Sequence, residues 1–244
     1  MSTTATNLLT VRALRFYDAT IGKKVIMAVT GFILFGFVVG HLIGNLQVYQ
    51  DALAVRAGQA PVKLNHYAEL LRSAPSLLWI ARITLAVSVG LHVWAAISLW
   101  LLQRAARPVA YKMRANLASG ISSRTMIVSG LMIAAFVIFH ILHLTTGTVH
   151  PDFRHLEPGV DVYANVVNGF SVWYVSLFYI IAMVLLGQHL IHGIWSMLQT
   201  LGLDFPRYNC QIKAIAAVIA WLIVAGNISI PIAVLAGFIR LPGA

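Results

Sequence analysis

Nine histidines stand out in this chain of 244 residues, because six of them fall inside long apolar runs: His41, His92, His140, His143, His189 and His192. An ionisable side chain at membrane depth is expensive and marks a functional site by default. A lone buried imidazole can simply bond a neighbouring helix, but six spread over four apolar segments point to ligand chemistry. Neutral imidazole is a ligand for transition metals and for haem iron. Zinc is the rival. However, the apolar runs carry no Asp or Glu to complete a metal cage, and the one cysteine, Cys210, lies apart. That single cysteine also excludes a disulfide framework, a Cys-x-x-Cys-His haem attachment and a four-cysteine iron–sulfur site.

Spacing turns the histidines into pairs. His41 lies 17 residues after Lys24, and His140 lies 16 after Arg124, so these two are expected at one depth. His92 lies 17 residues after Pro75, and His189 lies 16 after Trp173, so these two share another. The offset between pairs is five to seven residues, or roughly 10 Å along a helix axis. His41 to His92 spans 51 residues and His140 to His189 spans 49, as if two helical hairpins each offered one outer and one inner imidazole. His143 and His192 follow His140 and His189 by three residues, on nearly the same helix face, and either can stand in for its neighbour. Depth matching favours the earlier member of each. Bis-histidine ligation closes both faces of a haem iron, and a four-helix core suits the flat apolar macrocycle. Small residues give that bulk its space: Gly36, Gly40 and Gly44 near His41, Gly130 before His140, and Gly187 and Gly193 around His189.

The elements that must carry these residues follow from composition. Hydrophobic residues make up 59% and charged residues 10%, against about 25% charged in a soluble domain. Such a chain cannot cover a water-facing surface, so lipid is its solvent. The expected fold is an all-α membrane protein, one domain over residues 1–244. Its five transmembrane helices run over about 24–49, 75–103, 124–147, 171–201 and 211–239, each long enough for about 30 Å of hydrocarbon. A four-helix core carries the histidines, and the fifth helix, which has none, packs at its periphery. Pro231 and Asn227 predict a kink and an interhelical hydrogen bond there. The stretches 61–73 and 108–119 are short and mixed, as interfacial helices or loops. His66, His150 and His155 are expected in solvated loops. Residues 1–23 are polar and do not read as a cleaved signal.

The net charge of +10 does not signal nucleic acid, because the basic residues gather at span ends. The N-terminal segment and the loops after the second and fourth spans hold eleven: Arg12, Arg15, Lys23, Lys24, Arg104, Arg107, Lys112, Arg114, Arg124, Arg207 and Lys213. The opposite side holds five: Arg56, Lys63, Arg72, Arg154 and Arg240. The excess predicts an N-terminus on the cytoplasmic side. Arg82 sits within the second span, placed either to neutralise a haem propionate or to snorkel outward.

Five stretches resemble the single-chain, five-helix, two-haem cytochrome b subunits that anchor succinate dehydrogenase or fumarate reductase. They are IGKKVIMAVTGFILFGFVVGHLIGNLQVY (21–49), LNHYAELL (64–71), GLHVWAAISLWL (90–101), SGLMIAAFVIFHILHLTTG (129–147) and QHLIHGIWSMLQTLGL (188–203). The resemblance covers most of residues 12–205. It implies haem ligands at His41, His92, His140 and His189, the last followed by Gly193, Ile194 and Trp195 as in the family's fourth-helix pattern. It implies two haem b, with His41–His140 near the outer face and His92–His189 near the inner face. It further implies a flavoprotein and an iron–sulfur subunit docked on the inner face of a bacterial cytoplasmic membrane. Electrons would then run between the iron–sulfur clusters, the two haems and a menaquinone or ubiquinone. Succinate itself would be oxidised in the flavoprotein. The family's functional glutamate falls on Glu69, which makes His66, Tyr67, Glu69 and Arg72 the expected quinone-site residues. The rivals are the di-haem anchor of a hydrogenase or formate dehydrogenase, which would carry four main helices, and a histidine-lined transporter.

Overall fold

The computed structural model describes residues 19–106, 121–156 and 159–243. Arg12, Arg15, Arg107, Lys112, Arg114 and the stretch 108–119 lie outside the described residues. Helix α1 (Thr20–Asn45) continues after a short turn into α2 (Val48–Arg56), and α3 (Lys63–Arg72) leads into α4 (Pro75–Ala105). A short α5 (Ile121–Arg124) precedes α6 (Met126–His140), which runs on through a π turn at Ile141–Thr145. A two-residue hairpin follows, β1 (His155–Leu156) against β2 (Gly159–Val160), in antiparallel register. The chain ends with α7 (Val162–Ser171), α8 (Trp173–Thr200) and, after a 3₁₀ turn at Pro206–Tyr208, α9 (Asn209–Leu235). Among the described residues, five helices are long and apolar enough to cross a membrane: Thr20–Arg56, Pro75–Ala105, Met126–Thr145, Trp173–Thr200 and Pro206–Leu235.

The architecture is all-α and membrane-type. Leu77, Ile80, Ile83, Ile215 and Leu222 face outward, which suits hydrocarbon rather than water. Helices α1, α4, α6 and α8 form a ring in which each touches its neighbours. Helix α9 lies chiefly along α8 and touches α1. Its contact face is built from small residues: Ala216 and Ala220 are fully buried, and a Cβ on Gly187 of α8 would come 2.6 Å from Val224. Small residues let two helices approach closely where lipid gives no hydrophobic drive.

The helix ends depart from the sequence expectations in physical ways. The first span begins at Thr20 and turns at Leu46–Gln47. The third has a break at Thr125 and a π turn at its far end, and such turns are frequent at functional sites. Residues 162–171, to which the sequence reading assigns no element, form α7, whose N-cap is Asp161 accepting from the Ala164 amide at 3.1 Å. The fourth span therefore starts at Trp173, because Val172 is extended (φ −79°, ψ 105°). Helix α9 ends at Leu235 rather than at Ile239. Asn227 bonds the Ile223 carbonyl of its own helix at 2.9 Å, not a neighbouring helix. The interhelical bond is instead Tyr49 to Ser229, 2.7 Å.

One end of the bundle is closed by a cap of α2, α3, α7 and the C-terminal residues. Tyr163 is fully buried there and donates to the Arg240 carbonyl at 2.8 Å. Burial first, and the Asp51 carboxylate second, push the Tyr163 phenol above its ordinary pKa, so it remains a donor. Asn65 of α3 links to α7 twice, donating to Asp161 at 3.0 Å and accepting from the Tyr163 amide at 3.1 Å.

Candidate functional site

The ring of four helices brings the histidines together two by two. The His41 and His140 rings have centroids 5.7 Å apart and stand nearly perpendicular, at 87°. The His92 and His189 rings lie 6.3 Å apart at 59°. Two imidazole nitrogens that grip one ion from opposite sides, at about 2 Å each, hold their ring centroids about 6 Å apart. Both pairs meet that spacing.

The pairs occupy two levels. His92 packs beside Thr30 and Gly31 of α1, ten to eleven residues before His41 on the same helix. His189 packs beside Ser129 and Gly130 of α6, which precede His140 by the same interval. Ten to eleven residues of helix rise about 15–16 Å, a wider separation than the roughly 10 Å that the residue counts predict. The glycines permit the approach: a Cβ on Gly31 would lie 3.4 Å from the His92 ring, and one on Gly130 would lie 3.3 Å from the His189 ring.

His41 and His140 each have an aromatic neighbour one turn earlier. His41 stacks on Phe37 at 5.2 Å and 18°, and His140 lies 5.8 Å from Phe136. The Tyr179 hydroxyl sits between the Nδ1 atoms of His140 (3.3 Å) and His143 (3.0 Å). His143 is thus turned away from the pair. It is fully buried, stacked on His150 at 4.9 Å and on Phe139 at 5.4 Å. His192 is half-buried.

The donor set and the space around it suit a bis-histidine haem. Both pairs are imidazole only, and no cluster of three or more His, Cys, Asp or Glu side chains completes a metal cage among the described residues. Cβ atoms added to Gly36, Gly40, Gly90 or Gly193 would meet nothing within 4 Å, so no side chain crowds these positions near the histidines. Gly44 and Gly187, in contrast, are filled by Tyr67 and Val224.

Other expected site residues are placed differently. Arg82 is exposed on α4, over Trp79 at 5.3 Å, and no contact joins it to either pair. His66 and Glu69 lie on the cap surface, 3.9 Å apart and largely exposed. They line a cleft of about 470 Å³ together with Pro61, Val62, Lys63 and Asn65. Tyr67 turns inward against Gly44, and Arg72 closes the last turn of α3.

His150 corrects the expectation of a solvated loop. It is 7% exposed, its Nε2 lies 2.9 Å from the Asn165 carbonyl, and its Nδ1 accepts from the Asp152 amide at 3.1 Å. The cause is α7, which folds over the loop. The Asn165 side chain pins Arg154 at both its N–H (2.7 Å) and its carbonyl (3.0 Å). His66 and His155 are exposed as expected.

The close packing here gives a prediction. A Cβ on Gly169 would come 2.7 Å from the His143 ring and 3.1 Å from His150 Nε2. Gly169→Ala should therefore lower stability by about 1–3 kcal/mol despite the better helix former, because neither stacked ring has space to yield. A thermal melt in fixed lipid checks it.

Sequence reasoning overlooked Thr30, Ser129 and Tyr179. A signal for the first two was present. Both α1 and α6 read Thr or Ser, Gly, five residues, Phe, three residues, His: Thr30-Gly31 to Phe37 and His41, and Ser129-Gly130 to Phe136 and His140. The two hairpins repeat one unit.

The fold and site define a class: an all-α membrane protein with two facing-imidazole pairs at two depths. Comparison with known proteins returns no matching family model, no matching curated sequence and no matching solved structure.

Proposed function

We propose that this chain is the membrane-anchor cytochrome b subunit of a succinate:quinone oxidoreductase, holding two b-type haems in the bundle core. The observation that carries the reading is the two-by-two meeting of four imidazoles, at 5.7 Å and 6.3 Å. His41 and His140 hold one haem, and His92 and His189 the other. Bound there, haem supplies one-electron transfer at an iron closed on both faces.

The chain's own residues do the rest. The apolar helices exclude water from both levels. Thr30, Ser129 and Tyr179 engage the Nδ1 atoms of His92, His189 and His140. At the cap, the Glu69 carboxylate and the His66 imidazole are the exposed pair able to hold and pass a proton beside a quinone headgroup, with Tyr67 and Arg72 on the same helix. The excess of Lys and Arg at the other end argues for that end as the cytoplasmic one. A flavoprotein and an iron–sulfur subunit would dock there, on a bacterial inner membrane.

A reduced-minus-oxidised spectrum of the purified chain, with a haem count, tests the reading. Two b-type haems per chain are expected, and succinate added to native membranes should reduce them. Reduction by hydrogen or formate, and not by succinate, would assign the chain to a different quinone-linked complex. A protein that takes up no haem would overturn the reading and favour a histidine-lined transport path.

A further inference from the structure

We propose that Thr30 and Ser129 are positioning residues that lock the tautomer of the inner histidine pair, each hydroxyl holding the Nδ1 proton so that Nε2 is the atom offered to iron. The proposal rests on the haem reading for its purpose, but its geometry stands alone.

The assignment follows from counting protons. A hydroxyl has one hydrogen to donate. Thr30 Oγ1 donates it to the Ile26 carbonyl at 2.7 Å, one turn back on its own helix. Toward His92 Nδ1, at 3.1 Å, the same oxygen can therefore only accept. His92 must then carry its proton on Nδ1, which leaves the Nε2 lone pair free; the Met27 carbonyl also accepts from His92, so Thr30 shares this role with the backbone. Ser129 repeats the arrangement on α6. It donates to the Met126 carbonyl at 3.2 Å and lies 3.4 Å from His189 Nδ1. Both hydroxyls are buried, at 6% and 2% exposure, so water does not compete for these bonds.

Connectivity adds a second step. Thr30 serves the histidine of the next helix in its own hairpin, and Ser129 does the same in the other hairpin. Each hairpin thus aims one inner imidazole with a residue of its own. A ligand whose second nitrogen is held in this way is fixed in tautomer and rotation and is made more basic. Losing such an outer contact typically costs 10–100-fold in affinity.

The test uses the full chain, ¹⁵N-labelled at histidine, in lipid nanodiscs, measured before and after adding haem. Long-range ¹H–¹⁵N correlations report which ring nitrogen is protonated. Before haem, wild type should show His92 and His189 as Nδ1–H. Thr30→Val should move His92 toward Nε2–H and leave His189 unchanged. Ser129→Ala should do the reverse, and Thr30→Ser should restore the wild-type pattern. On titration with haem, Thr30→Val should weaken one of two binding events about tenfold and leave the other as it was. Nε2–H tautomers in wild type, or a Thr30→Val protein whose His92 keeps its Nδ1 proton, would overturn the lock even if both haems bind. If no haem binds to wild type, the functional reading falls while the tautomer measurement still decides the role of the hydroxyls.

Discussion

His92→Ala and His189→Ala should each remove the same one of the two proposed b-type haems and leave the other with its spectrum and midpoint potential intact. His41→Ala and His140→Ala should each remove the remaining one. The loss should be complete at the affected level, because a single imidazole leaves one face of the iron open. Each pair is separated from the other by about 16 Å of helix, so the losses should not spread. The double variant His92→Ala with His189→Ala should lose no more haem than either single one, which is the signature of two ligands on one ion. His143→Ala gives the sharpest contrast. It should keep both haems, because its ring is engaged with Tyr179 and stacked on His150 rather than facing His41. It should nevertheless destabilise the cap end of the bundle, by emptying a fully buried site. Redox titration of each variant, with a haem count, separates the outcomes. If His92→Ala and His189→Ala removed different haems, the pairing would be wrong. If His143→Ala removed the haem that His140→Ala also removes, the outer ligand assignment would be wrong.

The pairing could be read from the chain because helices in a membrane obey strict length rules. A span must start and end at the interfaces, so counting residues from a charged or polar boundary fixes depth. His41 against His140 and His92 against His189 came from that count alone, as did the preference for His140 over His143. What surrounds the imidazoles was harder to read. Thr30 and Ser129 look like ordinary small polar residues in apolar helices, and their meaning appears only when the contact across the hairpin is known. Tyr179 reaches α6 from α8, a contact with no sequence spacing behind it. His150 was misjudged because loop composition says nothing about what folds over a loop. The helix that covers it, α7, is only ten residues long, and its apolar face does not tell which loop it will cover. Arg82 shows the reverse case: its depth suggested a role near the outer pair, but its face of the helix turns it outward onto Trp79. Depth is a one-dimensional quantity that a sequence supplies. Azimuth around the helix depends on packing.

Asp51→Ala should cost on the order of 3–5 kcal/mol and loosen the cap without disturbing either histidine pair. Read along the sequence, Asp51 marks the end of the first apolar run. In the fold it is fully buried and accepts three backbone N–H bonds, from Val62 (2.9 Å), Lys63 (2.8 Å) and Leu64 (2.8 Å). These are amides at the start of α3, which no residue of that helix can satisfy. A carboxylate is well suited to them, both as a charge-assisted acceptor and as an anion at a helix N-terminus. Removing it strands three donors, each costing about 1–3 kcal/mol when buried, with partial relief from local rearrangement. Asp51→Asn should cost roughly half as much. Its one carbonyl oxygen still serves Val62 and Lys63, but its NH₂ would face the Leu64 amide, donor against donor. Helix α3 carries His66, Tyr67, Glu69 and Arg72, whereas the imidazole pairs sit on α1, α4, α6 and α8. The two variants should therefore show faster amide exchange at residues 62–72 and weaker quinone reactivity, with an unchanged haem spectrum. Unaltered exchange at residues 62–64 in Asp51→Ala would remove Asp51 as the anchor of the cap. Loss of a haem alongside the exchange change would show that the cap and the core are one cooperative unit, rather than a rigid four-helix frame with a separately held lid.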